Sequence, residues 1–428
     1  MERPLTSNIR PGEPPLDLAD YERSGGYAAA RKALRSLAPE DVARVVTESK
    51  LRGRGGAGFP TGKKWSFVPP LKDVPAPRYL VVNADEMEPG TFKDRLLLEG
   101  DPHQMIEAVI VSAYAVSASA AYIFVRGEYR LATERLERAA AEARERGYLG
   151  RDILGSGFDL DLHIHTSAGR YICGEETALL TALEGQRPIP RAKPPYPQAS
   201  GLWGRPTVVN NVETLCNVPH IVNRGAEWFK RLSRSDDSGT KIYGASGQVR
   251  KPGAWELPMG TPLRELIEEH AEGMRRGFEL RAVLPGGAST GFLTREHLDV
   301  QMDFASTEKA GSRLGTGALI VLDDRTCPVG MLRNLEHFFA QESCGWCTPC
   351  RDGLPWTERL LAAIESGEGN DGDLDVLAAH TRLLGFGHTY CAHAPGAMAP
   401  LESGLKYFRS DFERHMREKA CPYRGRAA

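Results

Sequence analysis

The spacing of apolar and polar positions divides the chain into an alternating first half, a punctuated middle and a helical end. Residues 1–20 are proline-rich and are expected to lie extended over another surface. Small and apolar residues at helical spacing predict a helix from Gly26 to Leu37. Pro39-Glu40-Asp41 signals a second helix start, with Val42, Val45 and Val46 facing inward. Arg78–Val82 reads as a short apolar strand, residues 103–117 as a helix and 121–126 as a strand. Glu128 to Arg146 is an alanine-rich helix with Leu131 and Leu136 inward and Gly147 as its stop. Phe158–His165 alternates as a strand; His163 and His165 share its exposed face. Trp203 is expected in the core. Strands alternating with helices indicate an α/β domain built on a mainly parallel sheet.

A polar break at Ser233–Gly239 places a boundary near 240. Residues 241–325 carry short strands, one helix (Pro262–His270) and a turn at Pro285-Gly286-Gly287. From Val329 onward the pattern is helical, with Leu332, Leu335, Phe338 and Phe339 on one face. The expected segments are 1–70 (helical, ending in a glycine loop), 71–240 (α/β), 241–325 and 326–428.

A length of 428 residues suits about two to four domains. Composition is ordinary for a globular chain, and a net charge of -2 gives no footprint for nucleic acid. Met105–Val125 is the most apolar window, but Glu107 and three serines interrupt it, so a buried helix and strand are expected, not a membrane span. No signal pattern opens the chain, and the implied compartment is reducing and cytoplasmic. Work at a membrane would be arranged through partners.

The candidate chemistry begins with Cys344-Gly-Trp-Cys347-Thr-Pro-Cys350 and a remote Cys391. Three closely spaced thiolates plus one distant thiolate make the four-ligand set of a cubane iron–sulfur cluster. A Cys/His zinc site drawing on His388 and His393 is the alternative. Cys173, Cys216, Cys327 and Cys421 read as simple thiols. Upstream, Leu51–Trp65 places five glycines in ten residues, at 53, 55, 56, 58 and 62. Gly53, Gly55 and Gly58 fit G-x-G-x-x-G, yet a helix precedes them where a dinucleotide fingerprint needs a strand. What remains is a backbone able to approach a planar ring or phosphate closely. Arg54 and Lys64 are expected to meet anions, and Phe59 and Phe67 to stack on rings. Asn83-Ala84-Asp85-Glu86-Met87-Glu88 follows the first strand, where α/β sheets place ligands. Gly174 precedes a helix whose first turn carries Glu175 and Glu176. They either suit the helix dipole or hold ribose hydroxyls, in which case NAD is preferred over NADP.

Together, Leu51–Trp65, Asn83–Arg95, Arg170–Thr177, Gly201–Asn217, Gly311–Thr316, Glu342–Gly353 and Tyr390–Pro395 resemble the NADH-binding flavoprotein subunits of respiratory complex I and its bacterial counterparts. The resemblance implies a Rossmann-like FMN/NADH domain, a small ubiquitin-like β-grasp module and a helical bundle carrying a [4Fe–4S] cluster. By resemblance, Gly53, Arg54, Gly55, Lys64, Asn83, Asp85, Glu86, Tyr171, Gly174, Asn210, Asn211 and Thr214 are expected to hold FMN, with Gly56 and Gly58 of the same loop counted among the cofactor-binding residues. Phe59, Phe67, Lys193, Tyr196, Glu88, Glu175 and Glu176 contact NADH, and Cys344, Cys347, Cys350 and Cys391 hold the cluster. Family members often carry Phe where this chain has Tyr196; a ring remains for stacking. The implied reaction passes hydride from NADH to FMN and single electrons to the cluster, then through partners to quinone. Glu88 is the acid expected to tune the flavin; no nucleophile or general acid is required. The implied partners are a small thioredoxin-like [2Fe–2S] subunit and a large iron–sulfur subunit, on the cytoplasmic side of the inner membrane. Two other readings stand beside it: a diaphorase subunit of a soluble NAD-linked hydrogenase or formate dehydrogenase, and a non-catalytic zinc scaffold.

Overall fold

The structure, a computed structural model, describes residues 2–424. Met1 and residues 425–428, which belong to the expected first and last segments, lie outside the described residues. The chain forms two units. The first comprises the described residues of Met1–Met87, Phe92–Ile242 and Glu256–Gly260; the second comprises those of Glu88–Thr91, Tyr243–Trp255 and Thr261–Ala428.

The first unit is built on a four-stranded parallel sheet in the order β3-β2-β1-β4. Its strands are β1 (Tyr79–Ala84), β2 (Ala120–Val125), β3 (Asp161–Thr166) and β4 (Thr207–Asn211). β1 is central and nearly continuous in Leu and Val, as a strand covered on both faces must be. The Pro102–Ala115 helix is buried almost all round, which accounts for the most apolar stretch of the chain without a membrane. Among the described residues no helix is long and apolar enough to cross one. Its Glu107 is fully enclosed but accepts from the Tyr27, Ala29 and Ala30 amides and the Tyr21 hydroxyl, so the buried carboxyl is fully bonded.

Several sequence expectations shift here. The strand expected to stop at Val82 runs on to Ala84, which makes Asn83 a strand residue. Trp203 is 51% exposed; it lies edge-on to Tyr79 and Tyr122 at the surface. Leu131 is exposed while Leu136 is buried, because the helix Arg130–Glu145 turns its alanine stripe inward. In the N-terminal segment Leu5 is buried, and Glu256 accepts from the Leu5 and Thr6 amides.

The second unit contains most of a mixed five-stranded sheet in the order β6-β5-β9-β7-β8, made by β5 (Thr240–Gly247), β6 (Gly253–Pro258), β7 (Leu280–Leu284), β8 (Leu293–Thr294) and β9 (Ala318–Asp323). β5 and β9 pair in parallel, and β7 is antiparallel to β8 and β9. Pro285-Gly286-Gly287 is a tight turn, as expected: a Cβ on Gly286 would fall 2.1 Å from the Leu314 carbonyl oxygen, so backbone occupies the place of a side chain. Beyond it the helices Pro328–Glu342, Thr348–Ser366, Asp373–Leu383, His393–Tyr407 and Arg409–Glu418 pack together. Their core includes Leu332, Leu335, Phe339, Leu354, Leu361 and Leu401. Phe338 sits only half-buried, and Glu336 takes the inward place between Leu332 and Phe339.

Candidate nucleotide and cluster sites

From β1 the chain crosses to β2 and β3 on one side and returns to β4 on the other. Such a reversal opens a crevice beyond the carboxyl ends of the two strands where it occurs. Asn83 of β1 and Asn211 of β4 are register partners at that end. The Asn83 amide donates to the Gly174 carbonyl at 2.9 Å and its oxygen accepts from the Asp85 N–H. A Cβ on Gly174 would meet nothing within 4 Å, so the space above it is open. Gly55 lies against the other side: its Cβ would stand 3.1 Å from Asn211 Cβ. Asn210 accepts from the Trp65 indole at 2.9 Å.

The glycine loop is a closed structure. Gly53 N–H bonds Phe59 O and Thr61 N–H bonds Leu51 O, both at 2.9 Å. Between them Gly56 has φ 120°, a conformation a side chain would strain. Thr214 Oγ1 accepts the Arg54 N–H at 2.8 Å and pins the loop to the start of the Val212–Arg224 helix. The Arg54 guanidinium is fully buried and donates to Ser238 O and Thr240 O at 2.6 and 3.2 Å. Its charge also lowers the Glu213 carboxyl, so within the unit it faces carbonyl oxygens and a buried carboxylate.

Beside the crevice, Glu175 caps the Glu176–Leu183 helix, accepting from the Thr177 and Ala178 amides at 2.9 Å. Its other oxygen pairs with Lys193 at 3.1 Å, while Glu176 takes Lys64 at 2.6 Å and Lys193 at 3.0 Å. Burial alone would raise the Glu176 carboxyl; the two ammonium groups bring it below its ordinary range. Phe59 and Phe67 are each nearly half exposed with ring centroids 6.3 Å apart, and Tyr196 is exposed too. Open aromatic faces next to a pairing site for charge suit a nucleotide. Tyr171 is half-buried in the turn Tyr171–Gly174.

Asp85 accepts from Ser167 Oγ at 2.7 Å. Glu86 turns inward, accepting from the Asp94 and Arg95 amides and the Tyr129 hydroxyl, and burial pushes its carboxyl up to about 7 with Asp94 adding to the rise. Its carboxyl thereby caps the start of the Lys93–Gly100 helix. The acidic run divides between the units. Glu88 belongs to the second, where its carboxylate accepts the Ser289 N–H at 2.6 Å.

Beneath the crevice lies a buried charge network that the sequence reading missed. Lys93 pairs with Asp94 at 2.7 Å and with Glu213 at 3.0 Å, and Lys241 reaches Glu213 at 2.8 Å. Asn211 donates to Asp94 at 2.6 Å. Burial would raise Glu213, but Lys241, Lys93 and Arg54 hold it at about 2. Burial drags the Lys241 ammonium down to about 8 against the pull of Glu213. The one local signal was Lys93-Asp94 opening a leucine-rich helix; nothing local links it to Glu213 or Lys241.

In the second unit, Cys347 precedes the Thr348–Ser366 helix and Cys350 lies in its first turn. Cys350 is buried, and burial pushes its thiol up to about 12; the Ser343 hydroxyl at 3.2 Å opposes this, and Cys347, Cys391 and Cys344 add to it. The four sulfurs expected as ligands therefore act on one another. Such a set needs a cationic core to be stable as thiolates, which fits an iron–sulfur cluster. His393 is a buried residue with Nε2 at 2.8 Å from Phe339 O, and His388 is exposed.

Known proteins resemble this chain over most of its length. Residues 46–220 match the Nuo51 FMN-binding domain, 244–293 the SLBB domain and 330–415 the NADH-ubiquinone oxidoreductase-F iron-sulfur binding region. The F subunit of the Salmonella typhimurium NADH-quinone oxidoreductase is 56% identical over 410 residues, covering 96% of this chain and 92% of that protein. Its Streptomyces coelicolor counterpart is 48% identical, covering 94% and 89%. A solved structure of an NAD+-reducing [NiFe]-hydrogenase in the air-oxidized state is 35% identical with a TM-score of 0.80; it covers 93% of this chain but only 65% of that one. With identity this high over nearly its whole length, the chain belongs to the family of NADH-quinone oxidoreductase F subunits.

Proposed function

We propose that this chain is the electron-input subunit of an NADH–quinone oxidoreductase. The carrying observation is the joint occurrence, in one chain, of a polar crevice at the sheet reversal matching an FMN-binding domain and a four-thiol set matching an iron–sulfur region. When bound, FMN takes up a hydride as an electron pair and releases electrons singly, the conversion an NADH-to-cluster path needs.

The residues present fit both groups. Asn83 and the backbone about Gly55 and Gly174 leave an open, amide-lined surface for a flavin. Gly53, Gly56, Gly58, Asp85, Tyr171, Asn210, Asn211 and Thr214 shape or anchor that surface. Phe59, Phe67 and Tyr196 offer rings to the nucleotide, and Lys64 and Lys193 offer charge. Glu175 and Glu176, paired with those lysines, repel a 2′-phosphate and favour NADH over NADPH. Cys344, Cys347, Cys350 and Cys391 hold the [4Fe–4S] cluster. Glu88 serves as a tuning acid through the turn it fixes at Ser289.

The chain works within a larger assembly. Its partners are a small [2Fe–2S] subunit and a large iron–sulfur subunit, which hold it peripherally on the cytoplasmic side. Exposed Trp346, Phe386 and Tyr390 around the cysteine segments support a covered face there. Likeness to the hydrogenase structure at 35% identity keeps a diaphorase role as the second reading.

Anaerobic titration of the purified chain with NADH and then NADPH tests the proposal. NADH should bleach the flavin and produce a reduced-cluster EPR signal, and NADPH should do neither. Absence of flavin and of an iron signal would refute it; co-purification with hydrogenase subunits would select the second reading.

A further inference from the structure

Two cysteines that the nucleotide and cluster chemistry leaves unused, Cys327 and Cys421, meet His415 in the helical part of the second unit. Their ligand atoms all lie within 4.8 Å of one another. Cys327 Sγ is 3.2 Å from His415 Nε2. Ligands bound to one zinc at about 2.3 Å (S) and 2.0–2.1 Å (N) in a tetrahedron stand about 3.5–3.8 Å apart, so the Cys327–His415 pair needs to open by a few tenths of an ångström and the remaining pairs, within 4.8 Å, to close by about 1 Å at most. The imidazole is already oriented. His415 Nδ1 lies 2.7 Å from the Asp411 carbonyl oxygen, which can only accept. The proton therefore sits on Nδ1, and Nε2 keeps its lone pair toward Cys327. His415 is fully buried and Cys421 nearly so. Cys327 occupies the cap of the Pro328–Glu342 helix, where its sulfur accepts the Gly330 N–H at 3.3 Å and is held beside the imidazole. The Asp411 carboxylate is engaged by Arg281 and Tyr423, which removes it from the ligand set.

We propose that Cys327, His415 and Cys421 bind one zinc ion, separate from the iron–sulfur cysteines. Two thiolates and a neutral imidazole balance the 2+ charge. Three protein ligands leave a fourth position for water, and Cys327 is the least buried of the three. The ion joins the end of the Arg409–Glu418 helix to the start of Pro328–Glu342, fastening the two ends of the helical region together. The metal-free arrangement is also defined: burial pushes the Cys327 thiol up to about 12, and it then donates to His415.

The test measures zinc and iron together by mass spectrometry on the full chain purified with its flavin and cluster. About one zinc is expected beside about four iron per chain. Cys421→Ser and His415→Ala should lower zinc at least about tenfold and leave iron in place. Cys391→Ser should do the reverse. Zinc that follows Cys391 would mean that it had filled the cluster cysteines, and would overturn the proposal. So would protein purified from zinc-supplemented growth that carries no zinc, or a Cys327–Cys421 disulfide found by peptide mapping. Should the variants fail to fold, zinc-edge X-ray absorption of the unaltered protein decides: a shell of two sulfurs with nitrogen supports the site, and an all-sulfur shell overturns it.

Discussion

Lys93, Glu213 and Lys241 show how single residues divide between legible and hidden. Each reads locally as an ordinary charged position, yet each is buried in one network. Removing one partner of such a set leaves an uncompensated charge, so Glu213→Gln should cost about 3–5 kcal/mol in urea unfolding. An unchanged midpoint would contradict the network. Glycines are legible in kind, because five in ten residues have few other uses. Their individual tasks are not: Gly55 matters through its closeness to Asn211, a residue far along the chain that the fold brings beside the loop. Gly55→Val should therefore strip flavin from the purified chain while the thermal transition persists. Phe67 is nearly half exposed, so burial does not explain its aromatic ring. Phe67→Ala should raise KM for NADH about tenfold, the worth of one stacked ring, with flavin content unchanged.

At the scale of elements, type is more readable than extent. β1 is evident from its Val/Leu run, but the polar residues from Asn83 on suggest a loop. Pairing with both neighbours carries the strand on to Ala84, since its backbone groups find partners on β2 and β4 regardless of side chain. Apolarity alone assigns Leu131 and Trp203 inward, whereas small alanines and the edge of the sheet set the actual faces. The cysteine run is strongly readable because thiolate spacing is covalently limited along one turn and helix start. Cys391→Ser tests the remote ligand: the cluster EPR signal should vanish, while NADH still bleaches the flavin. Loss of both would place Cys391 in folding instead.

For the whole molecule, acid titration offers a distinctive check. Glu86, Asp101 and Glu256 of the first unit are each pushed up to about 7 by burial. A carboxyl that binds its proton more tightly when folded stabilises fully below its unfolded value and loses that contribution as pH rises through 7. Glu213 runs the other way: held at about 2, its contribution is present above its unfolded value of 4.5 and lost as pH falls. Stability followed by tryptophan fluorescence should thus rise from pH 8 to about pH 5 and fall below about pH 4. A steady gain from pH 5 to 8 would contradict these burials. The sequence by itself determined the alternating α/β first half, the helical end, the glycine loop and the four-thiol set, because periodicity, backbone freedom and ligand spacing are local properties. Only the tertiary structure decided that Arg54 and Glu86 face inward, that Glu88 parts from Asp85 and Glu86, and that Cys327, His415 and Cys421 meet. Those outcomes depend on which distant carbonyls, amides and ligand atoms the folded chain brings within hydrogen-bonding or coordination reach, and no local pattern encodes that.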